Sequence, residues 1–381
     1  MNYVALKMLT GDRAKFLGLI FAIAFSTFLM SHQSSIFCGL MRRTVSQIRD
    51  VADADIWVMD RETQYIDEVK TLTENDLLRV RGVAGVEWAV RLFKSNPRAR
   101  AEDGRFRNVI LMGLDDATLV GAPRQMLVGS IENLRKPDSV IIDRAGFLYF
   151  FPGQALTLGK VLEMNDQRVE IVGICEASAP FATFPVMFAR YSEAVTFVGR
   201  ERNTLSYVLV KAQPQVSIRD LSQRIQKTFP DLKAMSGEEF EWATIFYYIR
   251  NTGIPVNFGI TVTIALLVGM VVAGQTFYIF TIENLKQFGA LKAIGVTNYR
   301  LVGMILLQAL VVGSIGYALG IALCAAFFDL TRDVAIQLRG FILLWQISVA
   351  TAGVVLVIVL LASLLSIRRV LVLEPAIVFR G

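Results

Sequence analysis

Four stretches of this chain carry no charged side chain at all: residues 16–41, 254–280, 301–328 and 340–367. Each is longer than the roughly 20 apolar residues that cross a ~30 Å hydrocarbon layer at about 1.5 Å per residue, so all four are read as membrane-spanning helices. The first follows a short basic segment, as a signal peptide would. It is too long for an h-region and has no small-x-small cleavage site after it, which predicts an uncleaved anchor.

Between the first and second spans, residues 42–253 show a finer pattern. Short runs of strand character at 56–59, 83–92, 106–114, 139–142, 155–158, 168–174, 185–189 and 205–211 alternate with helical spacing. Thr73 to Asp76 forms a capping signal for a helix that carries Leu77, Leu78 and Val80 and stops at Gly82. A second helix places Ile218, Leu221, Ile225 and Phe229 on one face and ends at Pro230. The expectation is an α+β lobe with a mostly β lobe inserted at about 130–200. Residues 42–50 and 237–250 extend the adjoining spans and read as either stalks or flexible tethers.

Composition sharpens this picture. At 54% hydrophobic and 19% charged, the chain is too apolar for disorder or for an ordinary soluble domain. The formal net charge of +6 invites a nucleic-acid reading until the charges are partitioned. Residues 1–15 (Lys7, Arg13, Lys15 against Asp12), 281–300 (Lys286, Lys292, Arg300 against Glu283) and 368–381 (Arg368, Arg369, Arg380 against Glu374) each carry a surplus of two, while 329–339 is neutral. These four segments use 11 of the 39 basic and 5 of the 33 acidic residues, leaving 28 of each in the large domain. The surplus thus falls on segments that the crossings place on one side. Short cytoplasmic loops accumulate Lys and Arg in this way, so both termini and 281–300 are expected in the cytoplasm and 42–253 outside. No basic patch is left for a nucleic acid.

Catalytic signals fail one by one. Between Gly153 and Gly159 lie five residues, and Val161 follows Lys160, so no phosphate-binding loop forms there. His32 is the only histidine, which excludes a histidine-pair metal site within one chain. With Gln33, Ser34 and Ser35 it makes a polar cluster that either lines a watery path or meets the interface. Cys38, Cys175 and Cys324 give no disulfide framework and read as small buried hydrophobes. The spans hold no Asp or Lys for a proton- or ion-coupled pump. Gly316 and Gly320 form a G-x-x-x-G in the third span, and Ala265, Gly269 and Ala273 a small-residue ridge in the second; either allows close helix approach, within one chain or between two.

The loop 281–300 is the most informative segment. Ile282, Leu285, Phe288, Leu291 and Ile294 recur at intervals of three, an amphipathic helix with Glu283, Lys286, Gln287 and Lys292 placed elsewhere around it. Physics alone permits a handle for a partner or an inert connector. The run Phe288-Gly289-Ala290-Leu291-Lys292-Ala293-Ile294-Gly295 resembles the signature of the FtsX/MacB-type ABC transporter permeases. The resemblance covers the whole plan, including a closing Glu374-Pro375-Ala376-Ile377-Val378-Phe379-Arg380 similar to the family's D-P-A-x-x-x-R tail. The stand-alone, DevC-like members are the most similar, since no nucleotide-binding domain is fused. Gln287 departs from the Glu that many members carry, and Glu283 is the candidate substitute.

The resemblance implies a coupling helix formed by Glu283, Lys286, Gln287, Phe288, Gly289, Leu291, Lys292, Ile294 and Gly295. It also implies Porter- and Sabre-like lobes in the outer domain and an amphipathic N-terminal helix on the inner leaflet. The implied protein is a non-catalytic subunit in a bacterial cytoplasmic membrane that binds no cofactor itself, ATP and Mg being held by a separate cytoplasmic ABC ATPase dimer. Its further partners would be a second permease copy, a periplasmic adaptor and an outer-membrane channel, with substrate efflux driven by mechanotransmission. The alternative is a regulatory protein of the FtsX kind, which passes ATPase motion to an extracytoplasmic enzyme.

Overall fold

A computed structural model of the chain describes residues 2–199, 204–331 and 338–372. The closing motif at 374–380 and the charges at 332 and 333 lie outside the described residues. From the N-terminus run α1 (Asn2–Gly11), α2 (Arg13–Thr44) and α3 (Ser46–Asp50), followed by β1 (Ile56–Asp60), β2 (Leu72–Thr73) and α4 (Glu74–Arg81). Next come β3 (Val86–Ser95), β4 (Arg98–Arg100), β5 (Phe106–Asn108), β6 (Ile110–Leu114), β7 (Gln125–Gly129), β8 (Ser139–Asp143) and α5 (Arg144–Phe150). They lead to β9 (Val161–Met164), β10 (Gln167–Glu176), β11 (Val186–Arg190), α6 (Tyr191–Val198), β12 (Thr204–Leu205), β13 (Tyr207–Ala212), α7 (Ile218–Thr228) and β14 (Leu232–Ser236). The chain closes with α8 (Gly237–Asn251), α9 (Ile254–Glu283), α10 (Leu285–Ala293), α11 (Asn298–Thr331) and α12 (Trp345–Leu371). It divides into two compact units, Leu40–Thr252 and the combination of Met1–Gly39 with Gly253–Gly381.

In the membrane unit α2, α9, α11 and α12 are each long and apolar enough to cross a bilayer. Three of these helices overrun the uncharged stretches by a few residues, because charged and polar side chains are tolerated in the end turns. The fourth begins at Trp345, not at residue 340: Gly340 has φ +82° and Leu344 is extended, which delays the first helical turn.

The α+β domain is built on one 12-stranded sheet in the order β14-β1-β13-β3-β6-β11-β8-β10-β9-β4-β5, with β7 paired to β10. The mostly β segment expected as an insertion at about 130–200 contributes β8 to β11 to this hydrogen-bonded sheet. The parallel pairs β6–β11 and β8–β10, with the antiparallel pair β11–β8, stitch that segment into the middle of the same sheet. Residues 155–158 form no strand; Gly153 and Gly159, at φ +74° and +82°, turn the backbone on either side of them. The run 106–114 is two strands interrupted at Val109.

Both faces of the central strands are buried. Ile56, Val58, Val208 and Val210 enter one core with Phe147, Phe197, Leu221 and Ile225, while Trp57, Met59, Tyr207 and Leu209 enter the other with Phe240. Period-2 alternation therefore divides each central strand between two cores, and these strands read as continuous apolar runs. Asp76 accepts a hydrogen bond from the Thr73 amide at 2.8 Å, and Gly82 caps the end of α4.

Candidate functional site: the loop between the second and third membrane helices

The helical ladder of α9 breaks at Asn284, whose side-chain amide donates to the Phe280 carbonyl at 2.8 Å. Its own carbonyl accepts the Gln287 and Phe288 amides at 3.0 and 3.1 Å, starting α10. The other end closes at Gly295 with φ +95°. The Val296 amide returns to the Leu291 carbonyl at 3.1 Å, the six-to-one bond of a Schellman motif.

Among the sequence-selected residues, Phe288 and Gly289 are buried; Phe288 lies at 0% exposure in the membrane unit's core, where Leu285 and Leu291 pack against the same cluster. Lys286, Gln287 and Gly295 are exposed, and Ile294 stands out at 81%. The helix thus has an anchored side and a free side. Lys292 reaches across to the Leu371 carbonyl of α12 at 3.1 Å. Glu283 is ion-paired with Lys15 at the start of α2, and Lys15 also holds Asp12 at 2.7 Å. The hydrogen bond from Lys15 keeps the Asp12 carboxyl below the usual carboxylate range.

Facing this junction is α1. Ala5 and Leu9 are fully buried, and the buried Gln308 of α11 donates to the Ala5 carbonyl at 2.8 Å. Tyr3, Lys7 and Asp12 line a cleft of about 570 Å³ together with Glu283, Asn284 and Gln287. Neither the cleft nor Tyr299, 91% exposed just beyond the loop's last turn, was picked out by apolar spacing, which registers what a helix buries.

The small-residue ridges both turn toward α2. A Cβ on Gly316 would meet Ile23 at 2.8 Å, and one on Gly320 would meet the Ala24 carbonyl at 2.6 Å. Gly269 admits Ser26, whose hydroxyl donates to the Ala265 carbonyl, while Ala273 is 1% exposed in the unit's core. These are contacts within one chain. His32 lies in a cluster of rings, 4.6 Å from Phe327 and 5.4 Å from Phe28, centroid to centroid.

Comparison with known families decides the identity of this plan. Residues 16–228 match the MacB-like periplasmic core domain, and residues 259–375 match the FtsX-like permease C-terminal domain. The chain belongs to the FtsX/MacB-type ABC transporter permeases. An uncharacterized ABC transporter permease of Mycobacterium bovis is 28% identical over 229 residues, 59% of this chain and 58% of that protein, so the match spans under two thirds of that relative. One from Mycobacterium tuberculosis is 25% identical over 307 residues, 80% of this chain and 78% of the relative. The periplasmic region of MacB from Actinobacillus actinomycetemcomitans is 14% identical, covering 54% of this chain and 96% of that one, with a TM-score of 0.37. The permease is a membrane protein with four candidate spans and an α+β domain between the first two.

Proposed function

We propose that this permease is the transmembrane subunit of an ABC-type exporter that works by mechanotransmission, with ATP and Mg held by a separate cytoplasmic ATPase dimer. The observation that carries the reading is α10. Phe288 fixes one side of a short helix in the apolar core of the membrane unit, while Lys286, Gln287 and Ile294 are exposed to meet a partner. A push on that exposed side moves α9 and α11 directly, and α2 through the Glu283–Lys15 pair. In this reading α10 is the coupling helix, both termini are cytoplasmic, and the α+β domain is periplasmic in a bacterium with an inner membrane. Two permease copies, a periplasmic adaptor and an outer-membrane channel complete the machine.

The test is reconstitution with the candidate ATPase. The chain alone should hydrolyse no ATP, and the complex should. Gly289→Pro, which costs ~3 kcal/mol in a helix interior, should abolish recruitment of the ATPase. Wild-type recruitment in that variant would refute the docking role, and protection of 42–253 from externally added protease would refute the topology. Stimulation of an extracytoplasmic hydrolase by the complex, without efflux, would favour the regulatory role instead.

A further inference from the structure

Lys94 is only 1% exposed. It continues the inward-facing series Val90 and Leu92 along β3, a register in which an apolar residue would suffice. Its ammonium donates to the Ile66 carbonyl at 3.1 Å and pairs with Asp67. The second Asp67 oxygen accepts the Tyr248 hydroxyl at 3.2 Å, and the Tyr207 hydroxyl of β13 donates to the same Ile66 carbonyl at 2.7 Å. Tyr65 stacks on Tyr247 with centroids 4.0 Å apart. Residues 65–67 thus form a bridge whose one side is held by the sheet and whose other side grips the last turns of α8. Only Thr252 and Gly253 separate α8 from α9.

Burying an ammonium is expensive, and a well-packed methionine at such a position serves stability as well or better. What the lysine adds is direction: it fixes where the bridge sits relative to β3. We propose that Lys94 is a positioning residue that, through Asp67, fastens α8 to the central sheet, so that displacement of α9 is passed into the sheet. The inference rests on the transporter reading above and names the joint through which the stroke enters the α+β domain.

The test compares the full chain with the double variant Lys94→Met/Asp67→Asn, each reconstituted with the ATPase in phosphatidylethanolamine–phosphatidylglycerol vesicles. Hydrogen exchange is followed with and without ATP. Removing both charges leaves no unpaired ion, so the double variant should fold and recruit the ATPase. Without nucleotide its amides at 61–70 should exchange about tenfold faster or more, the signature of a lost charge-assisted bond. In the wild type, ATP should change exchange in both α8 and β3; in the double variant the change should stop at α8. Unchanged exchange at 61–70 would overturn the fastening. An ATP-dependent change in β3 of wild-type size would overturn the transmission and reduce Lys94 to a packing residue.

If the double variant unfolds, Tyr248→Phe carries the same readouts, since it removes the hydrogen bond that ties Asp67 to α8 and leaves every charge in place. It should weaken the ATP-dependent change in β3, and an unaltered change would overturn the proposal. Failure of the wild-type chain to recruit the ATPase would sink the transporter reading instead, and the nucleotide-free exchange would then decide the fastening by itself.

Discussion

The two units of this permease hold their elements together in different ways, one a sheet between apolar cores and the other a set of long apolar helices. In the α+β domain the central strands are clamped between two apolar cores, and many of the long-range polar ties involve a charged side chain: Lys94 to Asp67, Arg49 to Glu241 at 2.7 Å, and Asp50 to the Ser178 hydroxyl at 2.6 Å. In the membrane unit the helices approach through glycine and alanine, and most ties run from a neutral side chain to a backbone carbonyl. Examples are Ser26 to Ala265, Gln308 to Ala5, and Tyr317 to Ser348 at 2.9 Å. Water drives apolar side chains together in the first unit. Lipid offers no such drive between helices, so van der Waals contact of closely approaching backbones and hydrogen bonds between them take over. The same kind of substitution should therefore have different consequences in the two units.

The largest effect is expected where a charge is left alone. Asp67→Leu strips the buried Lys94 ammonium of its counter-ion and leaves it one carbonyl, a loss of about 3–5 kcal/mol by the behaviour of broken buried pairs. Denaturant unfolding of the α+β domain's signal in the intact chain should reveal it, with Lys94→Met/Asp67→Asn much nearer the wild type. Equal losses in both variants would mean that packing, not charge, governs this corner. The sign with pH is fixed by the same burial, which holds the Lys94 ammonium below the ordinary lysine range despite the opposing pull of Asp67. The folded chain then binds fewer protons at this site than the unfolded chain. The burial penalty is present in full below the folded pKa and is relieved as pH rises from there toward the unfolded value.

In the membrane unit the counterpart is steric. Gly320→Val would drive carbon into the Ala24 carbonyl and the Thr27 side chain, each 2.6 Å from the first added atom, at a cost of about 1–3 kcal/mol by overpacking. Gly274→Ala meets nothing within 4 Å and should be neutral or stabilising by roughly 0.5–1 kcal/mol. Thermal unfolding in detergent separates the two. A tolerated Gly320→Val would mean that α2 and α11 are not held at close approach.

These contrasts also explain what could be read in the sequence. The four spans were legible because absence of charge over that length has one meaning in a lipid environment. Capping at Thr73 and the end of α4 at Gly82 were legible because they are local. Sheet order was not, since the parallel pairing of β6 with β11 joins residues over seventy positions apart, and strands buried on both faces carry no alternation to orient them. The loop's helical spacing was visible, and so was its apolar side. Which of its residues remain outside was not visible, because Ile294 and Phe288 contribute equally to the same periodicity. Lys94 did leave a trace, a lysine in register with Val90 and Leu92. A lysine at a strand position is ordinarily an exposed one, and only the fold brings Asp67 and Ile66 to it as partners.

The smallest expected effect isolates α8 from the sheet at its other end. Ser236 accepts the Glu239 amide at 3.2 Å, and Glu239 accepts the Ser236 amide at 2.9 Å, a reciprocal box that sets where the helix begins as the chain leaves β14. Ser236→Ala removes one half of the box at a cost of about 1 kcal/mol. Phe240, between Trp57 and Tyr207 at 5.7 and 5.9 Å, still anchors the first turns. Exchange should therefore rise at residues 237–239 and stay at wild-type levels at 245–251, where the tyrosines grip the 65–67 bridge. A rise along the whole helix would mean that α8 opens as one unit from its start and that the bridge holds it less firmly than its own cap. The first and last turns of this helix would then be a single mechanical element, not two separately fastened ends.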